Sequence, residues 1–360
     1  MKGGFVWCII AKSYRDVGKK RKDELSMAFV AGKVKEVVLK RSVLKELSPV
    51  LCKEISKPCV GQDSTGCLVS ENQGLYTSVA TMEGQGELFV TGTFYRSLNN
   101  LYVNGVKPSG ITVSIMLRYG ANEAELKQIM RWLCHLCEAN NVSIMGGETT
   151  RSAMAKEHVL TIQALGIKSI LNHSRSTKKM DLDSAKIVMA GVAGSAGTLI
   201  LLENNKVELK KRFSEAFLLG TEKQNHQFSV KQQVEVANKF DVLYAHDVSE
   251  GGIFTALWEL GEYLNTGLKV DLQQILLSQQ TIEFCEIYDW NPYVLYSLGC
   301  TLFVTKDAKA LQEALNEQGI PASILGIITK EGDRIIDQGD EIRYLEPYKG
   351  DEIFRIQQEN

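Results

Sequence analysis

Strand-like and helix-like patterns that alternate along the chain predict an α/β (α+β) protein of two domains, and three observations carry that expectation. The length of 360 residues exceeds one ordinary domain and accommodates two. Apolar periods of two and of about 3.6 residues follow one another through most of the sequence, which argues against a bundle or a sandwich. A polar stretch at 172–183, rich in Ser, Arg, Lys and Asp, interrupts the pattern near its middle. The expected layout is an appendage at 1–26, an amino-terminal domain at 27–170, a linker at 171–184 and a carboxy-terminal domain at 185–356.

In chain order, Val34, Val37, Val38, Leu39, Val43 and Leu44 form a helical stripe over 33–47. Residues 74–79 and 86–90 read as strands, and 93–103 as a helix stopped by Gly105 and Pro108. A strand at 111–117, a helix at 123–139 and strands at 142–145 and 159–167 complete the first half. The second half reads as strands at 186–190, 241–244, 301–305 and 322–328, with helices at 199–202, 253–263 and 308–318.

Composition narrows the function. Apolar content of 44% and charged content of 23% suit a folded core, and a net charge of −2 argues against attraction to nucleic acid or an anionic membrane. The eight cysteines are scattered rather than framed for disulfides. Cys134 and Cys137 lie within a helical pattern and read as packing residues. The apolar run 5–11 is shorter than the roughly 20 residues a membrane span requires and lacks signal-peptide flanks, so a cytoplasmic location is expected.

Four clusters could carry chemistry. In Val60-Gly61-Gln62-Asp63-Ser64-Thr65-Gly66, glycine permits close backbone approach and Asp63 offers a hard oxygen, although an Asp-rich turn explains the same letters. Cys67 just beyond reads as a buried small residue. Gly146-Gly147-Glu148-Thr149-Thr150 follows a strand and reads as a turn that could hold a metal or substrate. Gly191 to Thr198, with Gly194 at its centre, is either a phosphate-cradling strand-to-helix turn or a tight packing turn. In His246-Asp247-Val248-Ser249-Glu250-Gly251-Gly252, Asp247 or Ser249 would cap the following helix, while the two glycines also suit an anion.

The order of these clusters, with Asn99-Asn100-Leu101 and Gly105-Val106-Lys107-Pro108 between the first two, resembles the aminoimidazole-ribonucleotide-synthetase superfamily. Thiamine-monophosphate kinase, selenophosphate synthetase and the hydrogenase maturation factor HypE belong to it, and the likeness covers about 30–356. The stretch from Cys285 to Tyr293 and the tail Leu345-Glu346-Pro347 with Asp351-Glu352 are also similar, closest to HypE-like hydrogenase expression/formation homologues. The resemblance implies a homodimer built on a barrel shared by the two amino-terminal sheets. It also implies ATP and Mg2+ in an interdomain cleft, and phosphoryl transfer to a small molecule or protein group. Asp63, Asn100 and Glu148 would face metal and phosphates, with Asp63 and Glu148 as the metal ligands. Gly61, Gly146, Gly147 and Gly194 would shape the phosphate floor, Asp247, Gly251 and Gly252 the far side, and Lys33 a segment folding over the nucleotide.

Gln62, Ala80 and Asn100 stand where the superfamily usually has acids, and the final Cys300 leaves no carboxy-terminal thiol like that of HypE. Losing one donor to developing charge costs about 2.7–4 kcal/mol, so a degenerate, non-catalytic binding or scaffold protein is the alternative expectation.

Overall fold

The computed structural model describes residues 32–47, 58–169, 180–225, 227–339 and 341–355. The expected appendage and most of the expected linker therefore lie outside the described residues.

The described chain opens with a strap: α1 (Glu36–Leu39), a π-helical turn Lys40–Leu44, and a last α-turn Lys45–Leu47. The first sheet then forms from β1 (Thr65–Ser70), β2 (Gln73–Gly84), α2 (Gly86–Tyr102), β3 (Gly110–Leu117), α3 (Glu123–Asn140), β4 (Ser143–Arg151) and β5 (His158–Ser169). Its strand order is β1-β2-β5-β3-β4, antiparallel except for the parallel pair β3/β4. One face of β2 is buried at Tyr76, Ser78 and Ala80, while Val79 and Thr81 on the other face are exposed, the alternation expected of a sheet covered on one side.

The second half contains β6 (Lys186–Ala190), α4 (Ser195–Asn204), α5 (Lys206–Arg212), α6 (Glu215–Asn225), α7 (Lys231–Ala237), β7 (Val242–Val248), α8 (Gly252–Leu264), β8 (Gly267–Asp271), α9 (Gln279–Ile287), β9 (Cys300–Thr305), α10 (Ala308–Glu317), β10 (Ala322–Thr329), β11 (Arg334–Asp337) and β12 (Ile342–Tyr344). Its seven-stranded sheet runs β12-β11-β8-β10-β6-β9-β7. One core joins the halves: Phe94 and Leu98 of α2 belong to the same buried cluster as Val188, Val230 and Phe303. Asn99 fastens that junction, donating to the Phe228 carbonyl at 2.8 Å and accepting from Val230 N at 3.1 Å.

Several expectations are corrected. Residues 86–90, read as a strand, are the first turn and a half of α2. Leu88, Phe89 and Val90 are consecutive and all buried because α2 is covered on several sides, so the one-sided stripe of a surface helix is missing. Gly146-Gly147-Glu148-Thr149-Thr150 is not a turn but the middle of β4. A Cβ at Gly147 would overlap the Val113 carbonyl oxygen, so this glycine serves close pairing with β3. Cys67 is half-buried rather than buried.

Candidate functional site

The loop before β1 crosses to the second sheet and presses against α8. Gly61 has φ of 77°, and a Cβ there would overlap the Glu259 carbonyl oxygen. Only glycine meets both demands. Its own carbonyl accepts the Tyr244 hydroxyl. That anchoring sets Asp63 above β7, where Asp63 Oδ2 lies 2.9 Å from His246 Nδ1.

The second ring nitrogen, His246 Nε2, lies 3.2 Å from Glu259 Oε2 on α8. Lys33 Nζ donates to both oxygens of Glu259, at 2.9 and 3.2 Å. Both imidazole nitrogens face carboxylate acceptors, so both donate and the ring is charged. Burial opposes that charge, but Asp63 and Glu259 outweigh it and raise His246 to about 10. Burial also disfavours ionised Glu259, and Lys33 with His246 overcomes it, holding the carboxyl down to about 2. The result is a row of alternating charges, Lys33–Glu259–His246–Asp63.

Strand alternation sends Asp247 to the other face of β7, where it stands opposite Thr301 on β9. Asp247 is only 2% exposed, and neither carboxyl oxygen has a hydrogen-bond partner among the described residues. Its backbone N–H lies 3.4 Å from Asp63 Oδ2. Burial, then the neighbouring Asp63 charge, pushes its pKa up to about 8. The hydroxyls of Thr301 and Ser64 are also buried and unpaired. A buried carboxyl without a donor is costly unless it stays protonated or meets a cation. The Asp63 charge is felt at this carboxyl, so these two acids are the ones here that could share a hard cation with phosphate oxygens and water. Among the described residues no group of three or more His, Cys, Asp or Glu side chains encloses a metal unaided.

Next to this pair, Glu250 gathers three other segments. Arg96 of α2 lies 3.1 Å from its Oε2, while its Oε1 accepts Tyr348 OH at 2.8 Å and Lys33 N at 2.5 Å. Asp351 Oδ2 accepts Gly251 N–H at 2.6 Å, and its Oδ1 accepts Tyr296 N and Ile353 N, both at 3.1 Å.

These contacts sort the expected site residues. Asp63, Asp247, Lys33 and Gly61 are brought together. Glu148 is not: it is exposed on β4, in the row Thr81–Thr161–Ser114–Glu148 on the uncovered face of the first sheet, and the hydrogen bonds around Asp63 do not include it. Gly146 and Gly147 share that edge strand. Asn100 instead donates to Ser78 Oγ at 2.9 Å on the covered face, where Ala80 is buried as well. The Gly191–Thr198 segment is the packing turn: Gly194 N donates to Ser297 Oγ at 2.7 Å, Gly197 N to the Tyr296 carbonyl and Ala193 N to the Leu276 carbonyl. Neither Asp247 nor Ser249 caps α8, whose N-cap is Gly251 with no side-chain cap. Gly251 N–H already holds Asp351, and Gly252 N–H bonds the Ser249 carbonyl.

Arg96, Glu250, Glu259, Tyr348 and Asp351 were not singled out as site residues. Of these, Glu250 stands in the His246–Gly252 cluster and Asp351 in the tail that looked alike, while Arg96, Glu259 and Tyr348 carried no signal.

Residues 62–168 match the family described as AIR synthase related protein, N-terminal domain, and residues 185–338 match its C-terminal domain. The chain belongs to the AIR synthase related protein family. A Methanocaldococcus jannaschii protein with a provisional hydrogenase expression/formation name is 26% identical over 257 residues, 70% of this chain and 72% of that protein. Among solved structures, AaThiL complexed with AMPPCP and TMP is similar at a TM-score of 0.67 and 16% identity, covering 93% of this chain and 99% of that one. The hydrogenase maturation protein HypE in complex with ATP is similar at a TM-score of 0.63 and 14% identity, covering 90% and 98%. These two likenesses establish the shared two-domain fold. Among the described residues no helix is long and apolar enough to cross a membrane.

Proposed function

We propose that this chain binds ATP, or a related phosphate ligand, with one magnesium ion at the junction of its two sheets, as a cytoplasmic homodimer. The observation that carries the reading is Asp247: a buried carboxyl with neither oxygen partnered among the described residues, whose backbone N–H lies 3.4 Å from the carboxylate of Asp63. Asp63 and Asp247 would hold the ion, which when bound supplies charge neutralisation at the phosphates. Two relatives of the same fold are complexes with ATP and with AMPPCP, which supports a nucleotide ligand. The uncovered sheet face, with exposed Val79, Met116 and Ile167, supports the dimer, through which Glu148 of a second copy could approach a site it does not reach in its own chain.

Binding without turnover is the second reading, and specific contacts favour it. Gly251 N–H is taken by Asp351, and Gln62, Ala80 and Asn100 supply no carboxylate. Calorimetry with a non-hydrolysable ATP analogue, with and without magnesium, tests the binding. Magnesium-dependent binding lost in Asp247→Asn supports the proposal, and equal heats without magnesium sink the metal assignment. Phosphate release from ATP by the same protein then separates an enzyme from a binding protein.

A further inference from the structure

We propose that Glu259 is a positioning residue that orients the Asp63 carboxylate through His246, with Lys33 tying the amino-terminal strap into the same chain. The consequence for ligand binding rests on the reading of Asp63 above; the orientation itself does not.

The geometry points one way. Asp63 lies on a loop with no secondary structure of its own, and a carboxylate there has free rotation unless something pins it. The nearer pin is the His246 ring, at 2.9 Å against 3.4 Å for the Asp247 N–H on the same oxygen; the ring is 2% exposed and fixed at both ends, Nδ1 on Asp63 and Nε2 on Glu259. Without Glu259 the ring loses one of its two carboxylate anchors and keeps the other, the Nδ1 contact to Asp63. Glu259 belongs to α8, a rigid element whose neighbouring turn carries the Tyr263 ring stacked on Tyr244 at 4.6 Å between centroids. Tyr244 in turn holds the Gly61 carbonyl. The loop is thus fastened twice to α8, once through backbone and once through the carboxylate. His246 Nδ1 engages Oδ2, so this contact does not occupy the second oxygen of Asp63. Lys33 caps the row by donating to both oxygens of Glu259. A displacement of the strap would therefore reach Asp63 through two intervening side chains.

The test uses the full ligand-free chain labelled with 13C at aspartate carboxyls, the Asp63 signal being identified by its loss in Asp63→Asn. Glu259→Gln should displace that signal. His246→Asn keeps a donor near Asp63 but cannot span to Glu259, so adding Glu259→Gln in that background should move the signal no further. An Asp63 signal unmoved by Glu259→Gln, or moved equally in both backgrounds, overturns the inference. Lys33→Met is the milder variant should Glu259→Gln fail to fold: the same displacement, smaller, is expected, and none overturns it. In a second arm, Glu259→Gln should weaken the magnesium-dependent affinity for a non-hydrolysable ATP analogue by about tenfold or more, with Glu259→Asp in between. If the unaltered protein binds no analogue, the functional reading falls while the carboxyl signal still decides the positioning.

Discussion

At the scale of single residues, the junction is organised by charged groups that the chain buries and pairs. Glu250 is the clearest case, with Arg96, Tyr348 and the Lys33 backbone on one carboxylate. Removing one partner of a buried pair leaves the other charge stranded, which costs more than the pair contributes. Arg96→Ala should therefore destabilise the protein by about 3 kcal/mol, read as a lower midpoint in urea. Glu250→Gln combined with Arg96→Ala should recover part of the loss, whereas additive losses would show that the two side chains are independent. Asp63 and Asp247 were legible because their letters stand in a recognisable order. Arg96 was not: a lone arginine in a helical pattern looks solvated until both faces of α2 are seen to be covered. Glu259 was hidden for a similar reason, since nothing in its spacing reveals that α8 turns this residue toward a histidine on β7.

Secondary-structure elements show why other parts of the site were misread. The period-two and period-3.6 signals work where one face is wet, as in α3, whose Asn122 and Glu125 form a capping box and whose bounds the sequence anticipated closely. They fail for the opening of α2, buried on several sides, and for β4, where two glycines that look like a turn are there for pairing with β3. The strap is held element against element. Glu36 Oε2 accepts from Trp258 at 2.6 Å, and Glu262 of α8 pairs with Lys40 at 2.6 Å and with Arg334 at 2.7 Å. Burial disfavours ionised Glu262, but the hydrogen bonds from Lys40 and Arg334 dominate and hold its carboxyl down to about 2. The folded pKa lies below that of the unfolded chain. The contribution of Glu262 is thus fully present above a pH of about 4.3 and is lost as pH falls toward the folded value. Glu262→Gln should flatten acid unfolding across that window and leave the shape of the profile above pH 5 unchanged. An unaltered acid limb would show that the strap is held by other contacts.

The whole molecule is held by contacts between segments far apart in sequence: the Gly61 loop on Tyr244 of β7, Asn99 on the Phe228 backbone, and Asp351 on Gly251. Two domains were readable from length and alternation, but a core shared between Phe94 of one half and Phe303 of the other was not, because periodicity reports burial and not the partner. The same limit applies to the uncovered face of the first sheet. Val79 at 57% and Ile167 at 54% exposure sit on a sheet whose other face is packed, and apolar exposure of that kind marks an association surface. If that surface joins two copies, a carboxylate placed there must be desolvated against the apolar face of the second copy without a partner. Val79→Glu with Ile167→Glu should then convert a dimer to a monomer in sedimentation equilibrium. Both side chains are exposed within one chain, so unfolding of the separated monomer should shift by no more than about 0.5 kcal/mol per substitution. A protein that is monomeric before substitution, or one that remains dimeric after it, would place the contact between copies somewhere other than this face. Should the dimer part as expected, magnesium-dependent nucleotide binding measured on the monomer decides whether Glu148 acts across the interface: binding that survives unchanged leaves Asp63 and Asp247 as a sufficient pair.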